Sequence, residues 1–581
     1  MEQAYQAGEI GKAEYSIFMN YVKNRVDLYD NLKADQPYDM EDMQAILGEM
    51  GIGGVSASVM NKHTVARTPD GVPIIDERLG QPQMAENLQV QQRIMSIHPV
   101  TDYKIATLNA ENLPAQQFAR VQAHDLGHVN TIAHTRFSVN DGNEGFKIAK
   151  QKKIKYFLIS FVDLFGVLRS KLVPANAIKE MQTVGAGFAG FAAWLDMTPA
   201  DSDMFGIPDP DSLIQLPWNK EVGWLASDLW MNGKPVEASP RVMLKKQIKE
   251  LAKRGLTMKS GVECEYFLIS EDGKSIADPR DTQSKPCYDQ SALMRRYELI
   301  KEICDCMIEM GWGPYQNDHE DANGQFEMNW DYSDCLTTAD RHTFFKYMVK
   351  TIAEKHGLRA TFMPKPFQNL TGNGCHAHIS VWQGKKNKFL DSKDKLGLSK
   401  MAYNFLGGVI KNASSLSAFF NPTINSYRRI NAPPTKSGAS WSPSSISYTG
   451  NNRTHMIRIP DPGRFELRLM DGSANPYLLQ AGVLAAGLHG LKNKINPGKP
   501  LHCNMYTDYK KYPNLPKLPN ELKQSLAQLK NNKEMNKSFG KDTINSFVKL
   551  RSSEIKEFNK KEKFNKSKPI TKWESQNTLD C

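Results

Sequence analysis

No run of about 18 apolar residues occurs in this 581-residue chain, so no membrane-spanning helix is expected. A G-x-x-x-x-G-K-[ST] phosphate loop is also missing, so any nucleotide chemistry must hold its phosphates by other means. Cysteine is scarce. Eight residues, none in a C-x-x-C pair, offer neither a disulfide framework nor a zinc spacing, and point to a reducing, cytoplasmic setting. Cys304 and Cys306 fall in a helical pattern and read as core or boundary thiols. The opening MEQAYQAGEIGKAEYSIF lacks the basic start and apolar stretch of a secretory signal, and no internal repeat is visible.

Positive charge, by contrast, is in excess, at a formal net +11. Much of it sits in a Lys/Asn-rich tail after Tyr506, where Phe558 and Phe564 are too sparse to form a base-stacking platform. The tail reads as a solvated, lysine-rich helical surface, and no nucleic-acid partner is expected.

The length calls for two to four domains. Residues 1–145 form a first unit of unknown role, with helical patterning at Ala13–Leu32, a Gly/Pro/Asp-rich middle and the linker-like NDGNEG. A second unit spans 146–250. It opens with KKIKYFLISFVDLFGVLRSKLVP, two apolar runs about an Asp/Phe/Gly turn, which predicts a β-hairpin. From 251 to 581 strands alternate with helices. Helices are expected at Ser291–Met310, Ala339–His356, Lys400–Phe419 and Pro476–Leu491, with a polar helical end from Pro519.

The chemistry concentrates between residues 261 and 468. GVECEYFL carries Glu263 and Glu265, NDHEDANGQFEMNW carries Glu320 and Glu327, GNGCHAHIS carries His376 and His378, and PGRFELRL carries Arg464, Glu466 and Arg468. Residues two apart on a strand share a face, so each pair projects together, and Glu466 is expected between the guanidiniums of Arg464 and Arg468. Carboxylates in apolar runs are costly to bury unless paired or bound to metal. Taken singly, each has an ordinary reading: a half-exposed strand, a satisfied core histidine, a salt bridge. Together they suit hard divalent cations bridging nucleotide phosphates. Arg428, Arg429, Arg453 and Arg458 flank these ligands, and arginine is the usual bidentate partner of carboxylate and phosphate.

Two motifs are set aside. GAGFAG (Gly185–Gly190) matches a dinucleotide-binding pattern, but the preceding PANAIKEMQTV reads as helix rather than strand. His124, His128 and His134 have no acidic ligand in view, and a structural role is expected.

On these residues the chain resembles the glutamine synthetase family from roughly Ile154 to its end, through ExE, HE-x6-E, NGCHAHxS, NSYRR, NR-x4-RIP, RFELR and a terminal Trp573–Glu574 pair. The resemblance implies an α+β fold: a small β-grasp domain at 146–250, then a large catalytic domain with a curved antiparallel sheet and flanking helices at 251–581. It also implies a homo-oligomeric ring with active sites between subunits. Carried over by position, Glu265, Glu320 and Glu327 would hold one Mg²⁺ or Mn²⁺, and Glu263, His376 and Glu466 a second. Arg429, Arg468 and the backbone at Gly372 would bind L-glutamate. Arg453 and Arg458 would bind ATP and stabilise the transferring phosphoryl group, with Arg453 also touching substrate, and His378 and Ser380 would line the ATP site.

The departures are informative. Near Ala189, in GFAGFAAW, a carboxylate that would bind ammonium is missing, and a flap glutamate expected soon after the substrate arginine is replaced by Thr435 or a neighbour in a longer loop. The chain is most similar to the type III branch, which includes glutamate–methylamine ligases. The expected activity is therefore ATP-dependent ligation of glutamate to an amine through γ-glutamyl phosphate, with methylamine as the amine. The alternatives are a glutamine synthetase using ammonia, a ligase for a longer amine such as putrescine, and an inactive regulatory relative.

Overall fold

The computed structural model describes residues 144–430 and 432–581. The chain divides into Met1–Gly142 with Trp230–Lys234, and Asn143–Leu229 with Pro235–Cys581; the second unit is described here. The expected helix at Ala13–Leu32 and His124, His128 and His134 lie outside the described residues.

The predicted hairpin forms, with Tyr156–Val162 antiparallel to Leu168–Pro174. Asp163 makes the turn: its Oδ1 accepts from the backbone N–H of Phe165 and Val167 at 2.9 and 3.0 Å, and its Oδ2 from Arg169 at 2.9 Å. Tyr156–Val162 also pairs in parallel with Val222–Met231, and the sheet continues through Met204–Pro208 to Ala186–Phe188. Helix Ile178–Thr183 precedes GAGFAG, as read from its pattern, so the glycine motif does not follow a strand.

Two further sheets carry the chemistry. One runs Pro314–His319, Gln325–Trp330, Tyr266–Ile269, Arg359–Thr361. The other runs Ser333–Asp334, Thr257–Cys264, Cys375–Gln383, Phe465–Leu467, Ile457–Arg458, Tyr448–Thr449. The chain passes from one sheet to the other at Glu265, between Cys264 and Tyr266. All eight cysteines are free, and Cys264, Cys375 and His342 meet in the core behind this point, both sulfurs within 3.8 Å of His342 Nε2.

Helices Pro476–Asn493 and Lys400–Phe420 pack closely behind. Glycine permits the approach: a Cβ on Gly408 would stand 2.0 Å from Ala486 O, and one on Gly490 2.0 Å from Asn404 O. Two helix expectations need correction. Cys335–Lys355 starts before Ala339 because Asp334 caps it, accepting from Leu336 and Thr337 N–H at 3.1 Å. Ser291–Met310 is two helices, Gln290–Arg295 and Tyr297–Glu309, broken at Arg296, whose guanidinium donates to Ala277 O at 2.8 Å. Cys306 is buried in the second of these and Cys304 half-buried, in keeping with core and boundary thiols. The polar end from Pro519 is four helices, interrupted at the cap Asn532, at Gly540 and before Thr571.

A buried ion network ties the first sheet to these helices. Arg241 donates to Asp209 and Asp228 at 2.8 Å and to Asp340 through Nε and Nη2 at 3.0 Å, while Tyr477 donates to Asp340 at 2.7 Å.

Candidate active site

Register brings the acidic residues together. Glu263 stands opposite His376 on neighbouring strands, and His378 stands opposite Glu466 on the next. Glu263 Oε1 lies 2.8 Å from His378 Nε2, and its Oε2 3.3 Å from His376 Nδ1. Glu466 Oε1 lies 3.5 Å from His376 Nδ1. Glu265, where the chain changes sheets, accepts from Gly374 N–H at 2.7 Å and Gln325 Nε2 at 3.0 Å. Glu320 sits just past strand Pro314–His319 rather than within it, and Glu327 lies inside Gln325–Trp330.

The carboxylates fall into two electrostatic classes. Burial lifts Glu265 to about 7 against the pull of Arg429, and lifts Glu320 to about 8, with Glu265 and Asp318 adding repulsion. Burial, then Glu263 and Glu320, hold Glu327 well above the usual carboxylate range. Burial also acts on Glu466, but Arg468 and then His376 overcome it and hold the group at about 2. Against burial, His378 and His376 hold Glu263 well below its ordinary value. Burial and Arg468 depress His376 to about 4, leaving a neutral imidazole near pH 7.

Three groupings of side chains bring ligand atoms within 4.8 Å of one another: Glu263 with Glu327 and His376, Glu263 with His378 and Glu466, and Asp318 with Glu320 and Glu327. Five of the six expected ligands fall in these groupings, with Glu327 joining the two sets, and His378 and Asp318 enter with them; Glu265 belongs to none of the three, its Oε1 lying 3.9 Å from His376 Nε2. Asp318 escaped the sequence reading, although Asp318-x-Glu320 repeats the period of Glu263-x-Glu265. Burial and Glu263 lift its carboxyl to about 6.

This donor set fits divalent cations. It is oxygen-rich with two imidazoles, and His376 Nε2 is buried with no hydrogen-bond partner. Space is kept open beside it by Gly374, where a Cβ would stand 2.7 Å from His376 Nε2 and 2.8 Å from Glu265 Oε1.

Arginines close the pocket. Arg429 and Arg468 are 3% and 1% exposed yet both line it, and Arg468 Nε has no partner. Glu466 does sit between two guanidiniums, but the pair is Arg468 and Arg458, the latter at 2.8 Å; Arg464 turns away to Asp461 and to His378 Nδ1 at 3.1 Å. Arg458 is the cross-strand partner of Glu466, which brings its guanidinium alongside the carboxylate. Arg453 and the Gly372 backbone line the pocket with His378. Ser380 is not among the lining residues, and its hydroxyl accepts from Trp382 Nε1 at 2.8 Å. Of the flap residues, Trp441 faces the pocket, whereas Thr435 turns to Thr371, 3.0 Å between hydroxyls.

Arg428 faces away from Arg429 and grips Glu574 in a bidentate pair at 2.6 and 2.7 Å, so the Trp573–Glu574 helix fastens the backbone that carries Arg429. Among the described residues, no helix is long and apolar enough to cross a membrane.

The model of the family described as "Glutamine synthetase, catalytic domain" matches residues 237–569. A protein of Rhizobium meliloti named glutamine synthetase is 57% identical over 434 residues, 74% of this chain and 98% of the relative. One of Methyloversatilis universalis named glutamate–methylamine ligase is 42% identical over 426 residues, 72% of this chain and 96% of the relative. Two solved structures cover 75% of this chain and 99% of their own. A "GmaS/ADP complex" has a TM-score of 0.70 at 55% identity, and an "Apo GmaS without ligand" 0.69 at 54%.

Proposed function

The chain belongs to the glutamine synthetase family and is an ATP-dependent glutamate–amine ligase, a carbon–nitrogen ligase; we propose that its amine is methylamine. The observation that carries the amine is the likeness to the two GmaS structures over nearly their whole length, joined to a flap whose residues 432–447 contain no carboxylate. An ammonium ion needs several acceptors around it, and a wall without them suits an amine bearing an apolar group.

In the proposed reaction Arg429, Arg468 and the Gly372 backbone hold the glutamate carboxylates. The γ-carboxylate attacks the γ-phosphorus of ATP, ADP leaves, and the amine then displaces phosphate from γ-glutamyl phosphate. Arg453 and Arg458 neutralise charge on the transferring phosphoryl group, and His378 stands on the nucleotide side. Mg²⁺ or Mn²⁺ held by Glu265, Glu320 and Glu327, and by Glu263, His376 and Glu466, would neutralise the ATP phosphates.

The working form we propose is a cytoplasmic ring in which the 146–250 domain of one subunit completes the pocket of the next. Phe191 and Trp194 are 61% and 48% exposed and do not line this chain's pocket, which leaves them free to reach a neighbour. The test is phosphate release with glutamate, ATP and Mg²⁺, comparing methylamine, ethylamine, putrescine and ammonium at equal free base. Methylamine should give the highest kcat/KM. Preference for ammonium would make the protein a glutamine synthetase, as its Rhizobium relative is named.

A further inference from the structure

We propose that Trp441 is the amine-selecting wall of the pocket, its indole face receiving the alkyl group and excluding longer chains. The inference rests on the reading of the protein as an alkylamine ligase. Trp441 lines the same cavity as Glu327, Gly372, Arg429 and Arg468.

Its backbone is unusual, with φ +52, a left-handed conformation that a bulky aromatic seldom adopts. Such a conformation persists only where the surroundings enforce it, and such positions cluster at ligand sites. Here the loop is fastened on both sides of Trp441. Before it, Thr435 N–H donates to Ala439 O at 3.0 Å, and Thr435 and Ser437 hydroxyls reach Thr371 and Asp321. After it, Leu518 N–H donates to Ser444 O at 3.1 Å and Ile446 N–H to Pro516 O at 2.8 Å.

These anchors also fix which end of the pocket Trp441 serves. Thr371, which meets Thr435 of the loop, adjoins Gly372, where a Cβ would stand 3.3 Å from Arg429 Cγ. Trp441 therefore sits at the glutamate end, where the amine must arrive, and not at the His378 and Asp461 end. The nearby acceptor, Asp321 Oδ2, already receives the Thr371 and Ser437 hydroxyls. An arriving amine finds the Trp441 side chain in the lining beside the carboxylates of Glu320 and Glu327. Methylammonium is attracted to an indole face through its charge and also gains apolar contact for its methyl group. The indole Nε1 is buried without a partner, a donor available to an oxygen of the glutamyl group.

The experiment uses the full chain as W441A and W441F, with KM and kcat measured for methylamine, butylamine, ammonium, ATP and glutamate. In W441A, KM for methylamine should rise about tenfold and the butylamine-to-methylamine ratio of kcat/KM should rise about tenfold, while KM for ATP moves far less. W441F retains an aromatic face and should keep most of the methylamine preference, which also covers the case in which W441A does not fold. Amine ratios that stay at the wild-type value in W441A, or a W441F that loses methylamine preference altogether, overturn the inference while a wild-type preference for methylamine still stands. A wild-type preference for ammonium overturns the parent reading itself, whatever the variants do.

Discussion

Replacing Arg241 with methionine should destabilise the fold by about 3–5 kcal/mol, the usual result of removing one partner from a buried ion network. The guanidinium is 2% exposed and bonds three carboxylates. Its Nη2 alone reaches Asp209 and Asp340, at 2.8 and 3.0 Å. Without it those two charges, at most about 6 Å apart, repel by about 3 kcal/mol at an effective dielectric of about 20. Lys245, paired with Asp228, offsets part of this. A pH signature follows. Burial already raises Asp340 above its ordinary value, with Arg241 opposing; removing Arg241 lets it rise further. A carboxyl whose folded pKa exceeds its unfolded value costs stability above that pKa, and the cost is relieved as pH falls. The deficit of R241M, read from denaturant midpoints, should therefore shrink between pH 7 and pH 5, and D340N in the same background should recover part of it. A loss below about 1 kcal/mol, or a deficit that grows on acidification, would refute the reasoning.

Two further outcomes are expected. Glu327→Gln removes one of several mutually repelling buried carboxylates, so the metal-free protein should melt higher than wild type while the Tm increase produced by Mn²⁺ falls; thermal melts with and without the ion measure both. Burial, with Arg429 adding, lowers the Lys365 ammonium to about 8, so between about 8 and 10 the unfolded chain holds the extra proton and stability should rise with pH. Lys365→Met should lack that increment when Tm values at pH 7.5 and 9.5 are compared, and an equal increment in both proteins would count against it.

Strand-borne ligands were legible in the sequence because period two is a local property: His376 and His378 share one strand and project together whatever the rest of the chain does, whereas Glu265 stands just past the strand that carries Glu263. The Asp163 hairpin and the helix before GAGFAG were legible for the same reason. Pairings set across strands were not. That Arg458 rather than Arg464 shares Glu466 with Arg468 depends on which strand lies alongside, and that register is fixed by contacts distant in sequence. Loop orientation was likewise hidden. Thr435 and Trp441 both fall in the segment that replaces the flap carboxylate, and only the hydrogen bonds to Thr371 and Asp321 decide which of them faces inward. Helix starts failed where a cap lay upstream of the periodic residues, as Asp334 does.

The grip of Glu574 on Arg428 spans 146 positions of the chain. At synthesis rates of about 5–20 residues per second, a ribosome needs about 7–30 s to travel from one to the other. Once Glu466 has been made, a nascent chain has every carboxylate of the proposed cation site in hand while the backbone bearing Arg429 still waits for its fastener. A message truncated ahead of codon 574 would then yield a polypeptide equipped to collect divalent ions yet left with an unfinished glutamate end.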